Sequence, residues 1–214
     1  MWNQITVAEW LEILSLEDED LTPTEYLLER IATLTGDSYD DIDEDEFEDL
    51  QKQFAWLNQT PKFPEYKGTF THLHFGAFID LERLITKQAP IKKLDEIVLT
   101  VEGFEVWENE LQEVHQRPIS ECVPIMDKYV NYRNKLIDKY KGLFDVEEDE
   151  EEDEPSEQVE TRWAWERMIY ELCKGDITKA KEVIALPHLM VLNWLSMVKE
   201  LKLNQQAPIA ENHS

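Results

Sequence analysis

Two histidines, His72 and His74, stand one residue apart in TFTHLHF, and on a β-strand this spacing sets both imidazoles on one face. Zinc needs two further ligands, and no acid or cysteine sits nearby in a recognised spacing. The pair reads as two half-exposed histidines on a small strand. Cys122 and Cys173 lack a C-x-x-C or Cys/His partner, and Cys173 falls near the end of an apolar helix, where a thiolate is disfavoured. Both read as small core residues. Asp40, Asp41, Asp43 and Asp45 have the look of a calcium loop, but counting from Asp41 the sixth position is Glu46 instead of glycine and the twelfth is Lys52. A solvated, acidic helix start accounts for them better. No phosphate-binding loop, dinucleotide fingerprint, nucleophile elbow or H-E-x-x-H is present, and six glycines leave little material for one. Trp163 and Trp165, with Arg162 and Arg167, could stack bases, but the acidic run before them opposes that use. The chain is therefore expected to be non-enzymatic, with no cofactor and no metal.

Charge organises the rest. The net charge is -26 over 214 residues, and it is unevenly spread. Residues 1–60 hold 17 acids and 2 bases, residues 61–144 hold 13 and 12, and residues 159–214 balance seven against seven. The stretch 145–158, DVEEDEEEDEPSEQ, has 10 acids and no base. So dense a run repels itself and has no apolar face to bury, which predicts a disordered tether between two folded parts. The field repels nucleic acid and anionic membranes and favours basic protein surfaces. No segment has the roughly 18 uninterrupted apolar residues of a membrane span, and MWNQITVAEW lacks the basic start and apolar run of a signal peptide. Two cysteines are too few for a disulfide framework, so a reducing cytoplasm is expected.

The elements that must carry these residues read as mainly α. Thr6-Val7-Ala8-Glu9 and Thr22-Pro23-Thr24-Glu25 are capping boxes, the second with proline at the first helical position. The stripes Val7, Trp10, Leu11, Leu14 and Leu27, Leu28, Ile31, Leu34 follow them, and Gly36 is a stop. Ser38 to Asp41 reads as a third cap, ahead of a helix with Phe47, Leu50, Phe54 and Leu57 on one side. Pro61 and Pro64 break the pattern, and Tyr66–Leu73 reads as a small strand or β-hairpin. Helices resume with Phe78, Leu81, Leu84 and Ile85, and again from Pro90 with Ile91, Leu94, Ile97, Val98 and Val101. A longer helix opens at Pro118, and Gly142 is expected to close it. Beyond the tether, Trp163, Ile169 and Leu172 share a face, with Gly175 as a stop and Asp176 as a cap. Pro187 starts a last helix, ending near Asn204. The expected organisation is an acidic helical unit (1–60), a helical body with the hairpin (61–144), the acidic linker (145–158), a small C-terminal helical unit (159–204) and a flexible tail (205–214).

Three stretches together resemble the tail assembly chaperones of tailed bacteriophages and related virion-assembly proteins. The first is ITVAEWLEILSL with YLLERIATLTGDSYDDIDEDEFEDLQKQFAWL, the second FGAFIDLERLI with IKKLDEIVLTV, and the third WAWERMIYELCKGDITKAKEVIALPHLMVLNWLSMVKE. The C-terminal extension is shorter than in the family, and the middle segment is absent from its simplest members. The resemblance implies a non-enzymatic assembly factor in the host cytoplasm or the virion, with tape measure or tail tube proteins as partners. Trp2, Trp10, Trp56, Trp163, Trp165 and Trp194 are then the candidate protein-binding residues, because aromatic anchors dominate interface energy. Two alternatives stay open: a structural component retained in the virion, and an acidic DNA mimic that occupies a host nucleic-acid-binding protein. The mimic predicts binding that collapses with salt.

Overall fold

The computed structural model describes residues 2–38, 42–87, 89–144 and 164–206. These form eleven α-helices: α1 (Val7–Ser15), α2 (Pro23–Thr35), α3 (Glu44–Gln53), α4 (Phe75–Lys87), α5 (Leu94–Glu102), α6 (Glu108–His115), α7 (Ile119–Lys139), α8 (Lys141–Phe144), α9 (Ala164–Leu172), α10 (Ala180–Ile184) and α11 (His188–Gln206). The chain forms two compact units, one of Met1–Gly68 with Arg83–Tyr129, the other of Thr69–Glu82 with Val130–Ser214. Helices α4 and α7 each have residues in both.

In the first unit the caps act as their chemistry predicts. The Thr6 hydroxyl accepts from Glu9 N–H at 3.3 Å while the Glu9 carboxylate accepts from Thr6 N–H at 2.7 Å. Thr22 and Glu25 repeat the exchange at 3.3 and 2.8 Å. Gly36 ends α2 at φ 76°, a left-handed conformation open to glycine. The cap of α3 is Asp43, which accepts from Glu46 N–H at 2.8 Å, and not the Ser38–Asp41 stretch. Asp43 wins because it is the last extended residue before the helical turn, so its carboxylate meets the third N–H. Ile13, Ile31, Leu94, Ile97, Val98 and Ile119 are among the buried side chains of this unit.

The second unit has a core of Phe75, Phe78, Ile79, Leu136, Tyr140, Val191 and Leu192, against which Trp165, Ile169, Leu172, Leu189 and Leu195 pack. That core draws on residues from both sides of the acidic stretch. The C-terminal helices are therefore one half of a hydrophobic core, and the boundaries of the compact units differ from those that charge and composition suggest. Residues 145–158 themselves lie outside the described residues. Glu82, nearly buried on α4, meets Arg133 of α7 in two charge-assisted bonds of 2.8 Å.

Both units contain the same knot of hydrogen bonds. In the first, Thr6 bridges Pro118; Val7 N–H donates to Arg117 O and Ile119 N–H to Ile5 O, both at 2.9 Å. In the second, His74 bridges Pro187; Phe75 N–H donates to Leu186 O at 2.7 Å and His188 N–H to Leu73 O at 3.2 Å. Each knot ties the residue that precedes one helix to the proline that precedes another, and in each unit a left-handed glycine, Gly103 or Gly175, lies upstream of that proline.

Two further sequence expectations need correction, and one helix has none. The described residues contain no strand, so the Tyr66–Leu73 hairpin is not formed. A strand needs a ladder, and this stretch instead spends its polar groups singly: Tyr66 O accepts from the Lys128 ammonium, and Leu73 N–H closes a turn onto Phe70 O. Gly142 does not close the long helix; α7 stops at Lys139 and Gly142 lies within α8. Helix α6 has no counterpart in the sequence reading, because its one buried apolar residue, Val114, makes no visible stripe.

Candidate functional site

Helix α11 is apolar on two sides. His188, Val191 and Leu192 are buried, with Leu195 half-buried beside them. On the other side Met190, Trp194, Met197 and Leu201 repeat at intervals of four, three and four residues, and each is 43–58 % exposed. That interval is the seam spacing with which one helix packs along another chain. The outer stripe is thus a second apolar face, set between polar positions such as Asn193 and Glu200 and not consumed by the core.

The stripe borders a cavity of about 540 Å³, lined by Leu172, Val183, Leu186, Met190, Trp194 and Val198 among others. Glu171 and Lys174 also line it. Glu171 lies 3.8 Å from Arg167 one helical turn back, while Lys174 has no ion pair among the described residues. Lys174 also holds φ 52°, unusual for a residue with a Cβ, as the chain leaves α9. The α9–α10 connection is then fixed by Gly175 at φ 79° and by the Asp176 carboxylate, which accepts from Thr178 N–H at 3.2 Å and pairs with Lys179 at 3.1 Å.

The floor of this region is pinned by His188. Its Nδ1 lies 2.7 Å from Leu73 O and its Nε2 2.6 Å from the Tyr132 hydroxyl, while Phe78 stacks on the ring at 5.5 Å. A carbonyl only accepts, so Nδ1 carries the proton and Nε2 of the neutral ring accepts from Tyr132. Burial pushes the imidazole below its usual pKa, with His72 adding to the effect against the Leu73 bond. Burial also pushes the Tyr132 phenol up to about 12, which keeps it a donor. Tyr140 donates to Asn193 at 2.7 Å and fixes α11 one turn further on.

The sequence-named tryptophans divide into separate groups. Trp2 stands edge-on to Trp10 at 5.5 Å and to Trp56 at 5.0 Å, a half-buried cluster that closes the first unit. Trp165 meets Phe75, Phe78 and Phe144 edge-on and belongs to the core of the second unit. Trp194 alone of the five that are described is over half exposed, and Trp163 lies outside the described residues. Trp107, 61 % exposed beside Phe104 and Val106, escaped the sequence reading because its neighbours carry no helical periodicity. His72 and His74 do not pair on a strand: His74 Nδ1 accepts from Ala77 N–H at 3.1 Å and so caps α4. His188, a lone histidine in an apolar run, gave no signal of its role. Cys122 and Cys173 are buried free thiols, and burial raises Cys122 to about 11 despite nearby Arg117. Of the acidic quartet, Asp40 and Asp41 and the side chain of Asp45 lie outside the described residues. No group of three metal-ligating side chains occurs among the described residues, and no helix among them is long and apolar enough to cross a membrane. The chain matches no protein-family model, no curated protein and no solved structure.

Proposed function

We propose that the chain is a non-enzymatic assembly factor that holds an apolar segment of another protein against α9–α11, as a tail assembly chaperone or adaptor of a tailed bacteriophage. The observation that carries the reading is the outer stripe of α11, Met190, Trp194, Met197 and Leu201, standing open beside an apolar cavity. A large exposed aromatic on a rigid helix next to a pocket is the usual form of an interface anchor. The -26 net charge keeps a complex with an aggregation-prone partner in solution. The partner class, tape measure or tail tube protein, comes from the resemblance of the three sequence stretches, as does action in the host cytoplasm or within the virion.

The test is co-purification from infected cells with the full chain and with a Met190→Ser/Trp194→Ser variant, each washed at low and high salt. The expected result is a tail tube or tape measure protein that survives high salt with the native chain and is lost with the variant. Recovery indifferent to the variant overturns the groove. A basic host DNA-binding protein that leaves at high salt would instead favour the DNA-mimic reading.

A further inference from the structure

Every exposed large apolar side chain among the described residues lies either between Tyr170 and Leu201 or in one other place, Phe104, Val106 and Trp107. Gly103, at φ 86°, turns the chain out of α5, and α6 begins at Glu108. The four residues between them are non-helical, with Trp107 extended. Phe104 is 56 % and Trp107 61 % exposed, and the Trp107 indole donates to its neighbour Glu105 at 2.9 Å. The segment is an aromatic pair set between acids, FEVWE, with Glu105 and Glu108 at its edge.

We propose that Phe104–Trp107 of one molecule seats in the α9–α11 groove of another, joining molecules head to tail and occupying the groove until a partner displaces it. Three observations point to this occupant. The groove is apolar and wide enough for an aromatic pair. Its cation Lys174, which has no ion pair among the described residues, complements Glu105 and Glu108, while its acid, Glu171, stands near Arg167. The third comes from the repeated knot. Counting from Pro118 and from Pro187, Ile125 and Lys128 on α7 stand where Trp194 and Met197 stand on α11. In the first unit that face is not open: Ile125 is 3 % exposed, and Lys128 donates to the carbonyl of Tyr66 and lies 5.8 Å from its ring. What meets α7 there is a non-helical, aromatic segment of the chain. The equivalent face of α11 lacks such a segment among the described residues, and Phe104–Trp107 has the matching character.

The contact is heterologous, so it leaves a free segment at one end and a free groove at the other, and it propagates beyond a dimer. The net charge of each molecule opposes it, and salt screens that repulsion more than it weakens an apolar contact. Association therefore strengthens with salt.

The inference rests on reading the groove as a protein-binding face, but its test needs no partner: sedimentation of the purified full chain over a wide concentration range. The native chain is expected to gain mass with concentration without a plateau at the dimer. Phe104→Ser/Trp107→Ser and Met190→Glu/Trp194→Glu, checked for native circular dichroism, each weaken association by more than about tenfold, the fold-change of roughly 1.4 kcal/mol. Mixed in equal amounts, these two variants stop at a dimer, because only one segment and one groove remain intact. A variant that fails to fold is replaced by the surface change Lys174→Glu, which weakens association and regains it when mixed with Glu105→Lys/Glu108→Lys. A native chain that stays monomeric throughout overturns the proposal. A dimer unaffected by the Phe104/Trp107 change overturns it too, since that is a two-fold pairing by another surface. In both cases partner binding in the co-purification test is a separate result.

Discussion

Replacing His188 by alanine removes a polar side chain that links the start of α11 to both α7 and the segment ahead of α4. The ring is fully buried and makes bonds of 2.6 and 2.7 Å. Its two neutral hydrogen bonds contribute about 1 kcal/mol each, and the half-buried Tyr132 hydroxyl loses this partner. The Leu73 carbonyl keeps the His188 backbone N–H at 3.2 Å, so it is only partly stranded. Loss of the stack on Phe78 contributes about 0.5–1.5 kcal/mol. A total of about 2.5–3.5 kcal/mol is a large part of the roughly 5–15 kcal/mol that holds a domain together. The effect also carries a pH signature. The folded pKa of His188 is depressed, so above the unfolded value of about 6.5 the ring is neutral in both states and its stabilisation is fully present. Below that value the unfolded chain takes up the proton first, and the stabilisation is lost progressively as pH falls toward the folded pKa. Urea denaturation of native and His188→Ala proteins at neutral and mildly acidic pH measures this directly. The difference between them should be largest at neutral pH and shrink on acidification, while Tyr132→Phe loses about 1 kcal/mol. A difference below about 1 kcal/mol, or one that does not change with pH, refutes the buried network as the pin of α11.

Other consequences follow from particular contacts. Glu82→Leu or Arg133→Leu alone leaves one nearly buried charge of the 2.8 Å pair without its partner and should lower unfolding free energy by about 3–5 kcal/mol, whereas the double Leu variant should lie within about 1 kcal/mol of native. Thr22→Ala removes the exposed cap of α2 and should lower stability by about 1 kcal/mol in a thermal or urea melt, with native circular dichroism retained. Cys122, held at about 11 by burial, should resist a thiol reagent at mildly alkaline pH and react at full rate only in denaturant. Truncation after Phe144 strips Phe75, Phe78, Leu136 and Tyr140 of their cover by the later helices, so the shortened chain should lose cooperative unfolding in the second unit.

Much of the fold was legible because it is local. Thr6, Thr22, Gly36 and Asp176 act through neighbours two to four residues away, and the spacing of their partners is written in the sequence. The stripes of α4 and α5 read correctly for the same reason. What failed was non-local. The Pro118 and Pro187 knots join residues more than a hundred positions apart, and nothing near His74 or Thr6 announces them. Tyr66–Leu73 has strand-like composition, but strand formation depends on a pairing partner that tertiary structure does not supply. The acidic run was read as a divider between independent parts, since charge density reports solvation and is silent on which apolar faces meet. Its flanks share one core through Tyr140 and Leu192. The candidate site was half legible: Trp194 was named among six tryptophans, but telling it from Trp165 required knowing which face of each helix the core consumes. Trp107 sits in a turn between helices, where no periodicity marks it.

The most direct measurement of the central claim, that α9–α11 holds another protein through the outer face of α11, is site-specific photocrosslinking. A photoreactive residue is set in turn at Met190, Trp194 and Met197 and, as a control, at the exposed helix position Glu48, in cells that produce the proposed tail-protein partners. The account predicts that the three α11 positions crosslink to one tail protein and the control does not. Crosslinks that are equal at all four positions, or that reach only a basic host protein, would contradict it.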